Sequence, residues 1–253
     1  MVLVDSHIHL YEDEYRDILD KVISEAYRNK VDIILCVSED VETSIETINL
    51  SDKYRLVYAG IGVHPWSAIY TNIEWRDLDD LLDEYYKKVK CIGEVGLDGK
   101  YDMAEKRFDR QLECFKHMVK LSVKYGLPLN IHSRRAEKQV LRVLGENSVE
   151  KAHLHWFTGS IDILREALSL GYYVSFTPSI TYSKRIMKIA SSTPLERILT
   201  ETDGPIRFYG ELRDQLTMPH HVKHVIKKLA EIHKIEEDEV ARIILDNFNE
   251  LYR

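Results

Sequence analysis

Several things are scarce in this sequence, and each scarcity closes off a class of protein. Only three cysteines occur in 253 residues, Cys36, Cys91 and Cys114. They are too few and too scattered for a disulfide framework or a Cys-x-x-Cys zinc site, and they read as reduced core residues. No apolar run approaches the roughly 20 residues of a membrane span, and the start lacks a basic segment followed by an apolar one. A cytoplasmic protein without a membrane anchor is therefore expected. Basic charge is also in deficit: 35 Lys and Arg against 42 Asp and Glu leave a net charge of -7. That balance excludes a broad basic face that coats nucleic acid, so any phosphate-bearing partner has to be gripped locally. Glutamine is scarce beside abundant Lys, Glu and Arg, a pointer to a thermophilic source.

What remains is the composition of an ordinary soluble enzyme, 44% hydrophobic and 30% charged, which argues against disorder. No composition break, long linker or low-complexity tract divides the chain, and barrels of strand-helix units run to roughly 250 residues as one domain. The periodicity alternates accordingly. A short buried strand at Val2-Leu3-Val4 is followed by helical spacing over 12–29 (Ile18, Leu19, Val22, Ile23, Ala26) and by the continuous apolar run Ile33–Val37. The same alternation continues through a helix at 40–53, a strand at Leu56–Ile61, a helix at about 74–88 and a strand at Cys91–Gly96. A long helix at about 104–125 precedes a strand at Pro128–His132, then a helix at 134–145, a strand at 151–155, a helix at 160–170 and a strand at 172–176. A helix at 182–191 and a strand at 196–202 complete eight strands, and helices at about 219–233 and 237–252 follow. Eight strands alternating with helices predict an α/β fold, a single-domain (β/α)8 TIM barrel spanning residues 1–253.

In such a barrel the chemistry sits at the carboxyl ends of the strands. His7 and His9 end the first strand two residues apart and therefore face one way, which aims two imidazoles at one metal-sized target. His64 ends the third strand, Glu94 the fourth, His132 the fifth, His155 the sixth and Asp203 the eighth. Any one of these residues could be a hydrogen-bonded polar group at a rim. Convergence of all seven points to a metal site.

The stretches that carry these residues also resemble a known family, the TatD-like metal-dependent hydrolases (deoxyribonucleases) of the amidohydrolase superfamily. They are Asp5-Ser6-His7-Ile8-His9-Leu10, Gly62-Val63-His64-Pro65, Ile92-Gly93-Glu94-Val95-Gly96-Leu97-Asp98, Ile131-His132-Ser133-Arg134, His155-Trp156-Phe157-Thr158-Gly159 and Glu201-Thr202-Asp203-Gly204-Pro205. They span essentially the whole chain in the family's order. The resemblance implies two divalent ions, Mg, Mn or Zn: one held by His7, His9 and Asp203, the other by His132 and His155, with Glu94 bridging both. It further implies that His64 contacts the scissile phosphate. Asp203 would both ligate a metal and accept the proton of the attacking water. The chain departs from the family after Gly-Leu-Asp, where Gly99-Lys100 precede Tyr101 in place of the usual aromatic residues, and in a short loop after Pro205.

The expected activity is hydrolysis of a phosphodiester, with DNA trimmed from an end or cut in single strands by a monomeric enzyme. Hydrolysis of an amide, lactone or phosphoester by an amidohydrolase is the alternative, since fold and ligands do not fix the substrate. A carboxylated lysine bridge, common among those relatives, would need a strand-end lysine where this chain has Glu94. A metal-stabilised binding protein is the third possibility. Arg134 is a candidate grip for phosphate, with Arg135 beside it. His153 and Glu201, two residues before His155 and Asp203, are expected one layer deeper, the first as a core histidine and the second as support for a ligand. Asp98 is expected to brace the following loop. Trp156 and Phe157 could stack a base or pack against the next helix. His117, His220, His221, His224 and His233 fall on predicted helices, with His220 and His221 following a loop that could reach the site.

Overall fold

Runs that are buried at nearly every position, polar residues included, belong to strands covered on both faces. In the computed structural model, which describes residues 1–70, 75–100 and 105–253, these runs form β1 (Leu3–Ile8), β2 (Val31–Val37), β3 (Val57–Ile61), β4 (Cys91–Gly96), β5 (Leu129–His132), β6 (Ala152–Leu154), β7 (Tyr173–Phe176) and β8 (Ile198–Thr200). Each strand pairs in parallel with the next in chain order. Around them lie α1 (Asp13–Arg16), α2 (Leu19–Arg28), α3 (Val41–Lys53), α4 (Pro65–Tyr70), α5 (Asp77–Tyr85), α6 (Glu105–Tyr125), α7 (Glu137–Glu146), α8 (Ile161–Ser169), α9 (Lys184–Ser191), α10 (Val222–His233) and α11 (Glu237–Tyr252). The core is the layer between the two, where α7, for example, buries Val140, Leu141, Val143 and Leu144. The expected eight-stranded barrel is the observed architecture.

Closure between β8 and β1 has a different chemistry from the rest of the ring. That seam carries no strand ladder; Thr200 Oγ1 donates to Val4 O (2.7 Å), Thr202 N–H to Asp5 Oδ1 (2.9 Å), Asp203 N–H to His7 O (2.9 Å) and His9 N–H to Gly204 O (2.9 Å). Asp5 is wholly buried there, and burial pushes its carboxyl up to about 8 although two hydrogen bonds from Thr202 oppose the shift. The same bonds that close the barrel therefore fix the ends of β1 and β8 beside each other.

Boundaries differ from the sequence expectation in four places, the first being α4 (Pro65–Tyr70), which follows β3 where only a polar strand exit was expected. Residues 12–29 hold two helices instead of one: Tyr15 is pinned by its hydroxyl to Thr217 O (2.6 Å), and the chain turns at residues 17 and 18 before α2 buries Val22 and Ala26. The last strand is shorter than 196–202. Leu195–Arg197 forms a 3-10 turn held by the Asn247 amide, which donates to Leu195 O and Ile198 O, while residues 201–203 leave the ladder toward the rim. Arg134 and Arg135 lie in a turn before α7, not in its first turn. The expected helix starts at 74 and 104, together with Tyr101, fall outside the described residues.

Candidate metal centre

The carboxyl ends of β1, β4, β5 and β6 bring His7, His9, Glu94, His132 and His155 together, and the segment after β8 adds Asp203. Gly96 makes one of these approaches possible. With φ at +139° it takes a conformation open mainly to glycine, and a Cβ there would lie 2.0 Å from the His132 carbonyl oxygen, so any side chain would force β4 and β5 apart.

Glu94 divides the cluster. Its Oε2 lies 3.4 Å from His7 Nε2 and 3.4 Å from His9 Nε2; Asp203 Oδ1 lies 3.4 Å from each of the same two nitrogens, which are 3.2 Å apart. Its Oε1 points the other way, 2.9 Å from His132 Nδ1 and 2.8 Å from His155 Nε2, which are 3.4 Å from one another. Four ligand atoms arranged tetrahedrally about an ion at 2.0–2.1 Å are separated by roughly 3.3–3.4 Å. The five separations in the first group match that spacing.

The tautomers agree with a metal. His7 Nδ1–H donates to Asn130 Oδ1 (2.8 Å), and His9 Nδ1 lies 3.0 Å from the Tyr11 hydroxyl and 3.1 Å from Val37 O, which leaves both Nε2 atoms facing the cluster. His132 Nε2–H donates to Asp98 Oδ2 (2.8 Å), leaving Nδ1 for the cluster. Burial lowers the affinity of His7 and His9 for protons, but the carboxylates of Glu94 and Asp203 outweigh it and hold them up at about 10 and about 9. His155 is held at about 10 by Glu94 and Glu201 in the same way. Burial also opposes ionisation of Asp203, yet its hydrogen bonds with His7 and His9 keep it below the usual carboxylate range; Glu94 lies well below, against burial, through His155, His64 and His7. A nest of imidazoles and ionised carboxylates that must hold protons when metal-free is a donor set that divalent cations satisfy.

Known proteins resemble this chain along its whole length. Residues 4–253 match the family described as TatD related DNase. The chain belongs to the TatD family. An uncharacterized metal-dependent hydrolase of Bacillus subtilis, YabD, is 33% identical over 100% of this chain and 99% of its own length. Deoxyribonuclease TATDN3 of Homo sapiens is 28% identical over 99% of this chain and 94% of its own. The crystal structure of YJJV, a TatD homologue from Escherichia coli, superimposes with a TM-score of 0.92 at 25% identity, covering 99% of this chain and 97% of that one.

Above the TatD-family cluster opens a cleft of about 520 Å³, lined by His64, Arg134, Trp156 and Ile206 among others. His64 borders the ligand set, and with Glu94 and His132 it forms a further group whose donor atoms lie within 4.8 Å of one another. Trp66 N–H donates to its Nδ1 (3.2 Å), so the neutral ring carries its proton on Nε2, 3.5 Å from Glu94 Oε1. Burial, with His132, His9 and His155 nearby, pushes its pKa down to about 3 despite Glu94. His64 is thus a neutral N–H donor at the cleft wall. Arg134 also lines the cleft, but its guanidinium is tied to Asp98 Oδ2 by Nε (3.0 Å) and Nη2 (2.6 Å) and lies over the Trp66 ring.

Three residues do supporting work that the sequence reading did not assign to them. Asp98 does more than brace a loop: besides capping Lys100 N–H it receives His132, Arg134 and Trp66 Nε1. Asn130 orients His7, and its place two residues before His132 is the signal that would have found it, the parity that singled out His153 and Glu201. Asp5 closes the seam from within a motif read only for its histidines. Glu201 accepts from Trp156 N–H and Ser175 and stands 3.6 Å from His155 Nδ1, while His153 is buried against Tyr252. Phe157 is fully buried whereas Trp156 faces the cleft. His117 pairs with Asp79, and neither His220 nor His221 lines the cleft.

Proposed function

We propose that the protein is a phosphodiesterase that uses two divalent ions, one among His7, His9, Asp203 and Glu94 and the other among His132, His155 and Glu94, to cleave DNA at ends or in single strands. The observation that carries the reading is the division of one buried carboxylate between two groups of inward-turned nitrogens. Imidazole and carboxylate donors suit zinc or manganese, and the carboxylates admit magnesium. When bound, a pair of such ions acidifies water and stabilises the attacking and leaving oxygens of a phosphodiester.

The remaining work falls to the chain. Asp203, ionised and at the rim, accepts the proton of the attacking water. His64 offers its Nε2–H to a phosphoryl oxygen, and Arg134, held in place by Asp98, offers a cation at the same wall. Asn130 and Val37 keep the His7 and His9 rings from turning. DNA as substrate is supported by the deoxyribonuclease named among the relatives. Preference for ends or single strands is supported by the net charge of -7, which leaves no basic surplus for a long duplex.

The test is a panel: manganese, magnesium and zinc forms of the protein against single-stranded DNA, duplex DNA, RNA, a simple phosphodiester, an amide and a lactone. Metal-dependent cleavage of single-stranded DNA from an end is the expected result. Turnover of the amide or lactone alone would move the protein to the other amidohydrolases, and metal-dependent stability without turnover of any ester would leave a binding protein.

A further inference from the structure

One wall of the cleft is formed by Trp156, Pro205 and Ile206, and the loop that follows Pro205 carries an exposed aromatic residue, Tyr209, beyond it. Trp156 has φ +37°, a conformation that bulky residues rarely adopt, and is held there by bonds from its N–H to Glu201 and Ser175. Its ring lies on Phe208 (5.8 Å between centroids), and Phe208 is buried beneath the loop that follows Pro205. Along that loop Ile206 is 44% exposed and Tyr209 is 69% exposed, while Tyr182 meets the Tyr209 ring edge-on at 5.9 Å. The loop is tied down at both ends. Thr217 Oγ1 donates to Ile206 O, Tyr15 donates to Thr217 O, and Leu212 is buried. Exposed Arg207 sits between the apolar residues.

We infer that Trp156, Ile206 and Tyr209 form a preformed ledge on which unpaired nucleobases next to the cleaved phosphate stack, with Arg207 facing the adjoining backbone. The ledge is continuous with the candidate metal cleft, because Trp156, Pro205 and Ile206 line it together with Asp203 and His155. Aromatic rings at the wall of a phosphate-cleaving cleft suit bases, whose faces all stack, and a cation interleaved with them suits the linking phosphates. Bases locked in a duplex cannot lie on such a ledge, so it selects single strands and frayed ends. The inference rests on the phosphodiesterase reading and names the part of the substrate that this wall recognises.

The experiment pairs protein and DNA changes. Fluorescein-labelled pentathymidylate, and a series with one abasic position moved along it, are titrated by anisotropy into manganese-loaded Asp203→Asn protein, with and without Tyr209→Ala or Trp156→Leu. Removing the platform is expected to weaken pentathymidylate about tenfold or more. The same loss should appear when one particular base is absent, with little further loss when both are removed, since the two changes delete one contact. Tyr209→Phe should bind like the parent. Equal weakening of intact and abasic strands by Tyr209→Ala and by Trp156→Leu would overturn the ledge while leaving the metal chemistry standing. A parent that hydrolyses simple phosphodiesters but binds no oligonucleotide would overturn the DNA reading and the ledge together.

Discussion

The two sides of Glu94 are built to different tolerances. Around Oε2, the His7 and His9 rings are each held at Nδ1 by a buried oxygen, and the five ligand separations fall between 3.2 and 3.4 Å. Around Oε1, the separations spread from 2.8 to 3.4 Å. His132 leans on an aspartate shared with Arg134 and Trp66, and His155 Nδ1 has no hydrogen-bond partner among the described residues. His155 stacks on His7, with centroids 3.8 Å apart, and its Nδ1 stands 3.6 Å from Glu201 Oε1. The first group is the more evenly spaced; the second lies beside the wall formed by His64 and Arg134.

The largest effect should come from removing the shared ligand. Glu94→Ala is expected to abolish hydrolysis and the pairing of ions while the barrel stays folded, because the core and not the rim carries its stability. Circular dichroism with metal analysis checks both halves, and near-parent turnover would exclude a shared carboxylate. Next, Asp203→Asn should keep a bound metal yet lose roughly 10²–10⁴-fold in rate, the cost of a positioned base that can no longer take a proton. If the rate survives across the pH range, Glu201 or His64 becomes the proton acceptor to test.

Substitutions behind the ligands sharpen the contrast between the two sides. Asp98→Asn should weaken metal at the His132 side by roughly 10–100-fold and leave the first ion in place, whereas Asn130→Ala should do the reverse. Nuclear magnetic resonance of the ring nitrogens reads this without relying on activity: the tautomer of His132 should change in the first variant and that of His7 in the second.

These supporting residues also show where sequence reading stops. The strand-helix alternation was legible because buried strands carry short apolar stretches, most continuous in β2, and the six candidate ligands and His64 drew notice because they stand at or just after strand ends. Asn130 and Asp98 were not, since their work is done across the barrel, on partners 123 and 34 positions away. Asp5 was hidden for a related reason: nothing local announces that side chains join the backbone in closing the ring at one seam. The break in 12–29 depends on Tyr15 reaching Thr217, a contact that helical periodicity cannot register.

A smaller effect concerns pH. The folded pKa values of His7 and His155, about 10, and of His9, about 9, lie above the ordinary 6.5, so the metal-free fold binds more protons than the unfolded chain above pH 6.5. Their stabilisation is complete below pH 6.5 and lost as pH rises through 9 to 10. Asp5, held at about 8 instead of 3.8, acts in the same direction at lower pH. Metal-free protein should therefore melt at a lower temperature at pH 9 than at pH 6.5. Saturating manganese, which takes the place of those protons, should shrink the difference, and an equal fall with and without metal would place the effect elsewhere.

The most direct measurement is calorimetric titration of metal-free protein with manganese. Two ions per chain are expected in two resolved steps, the tighter one retained in Asp98→Asn and the pairing lost in Glu94→Ala. A single ion per chain, or two of equal affinity that persist in Glu94→Ala, would contradict a centre of two unlike sites joined by one carboxylate.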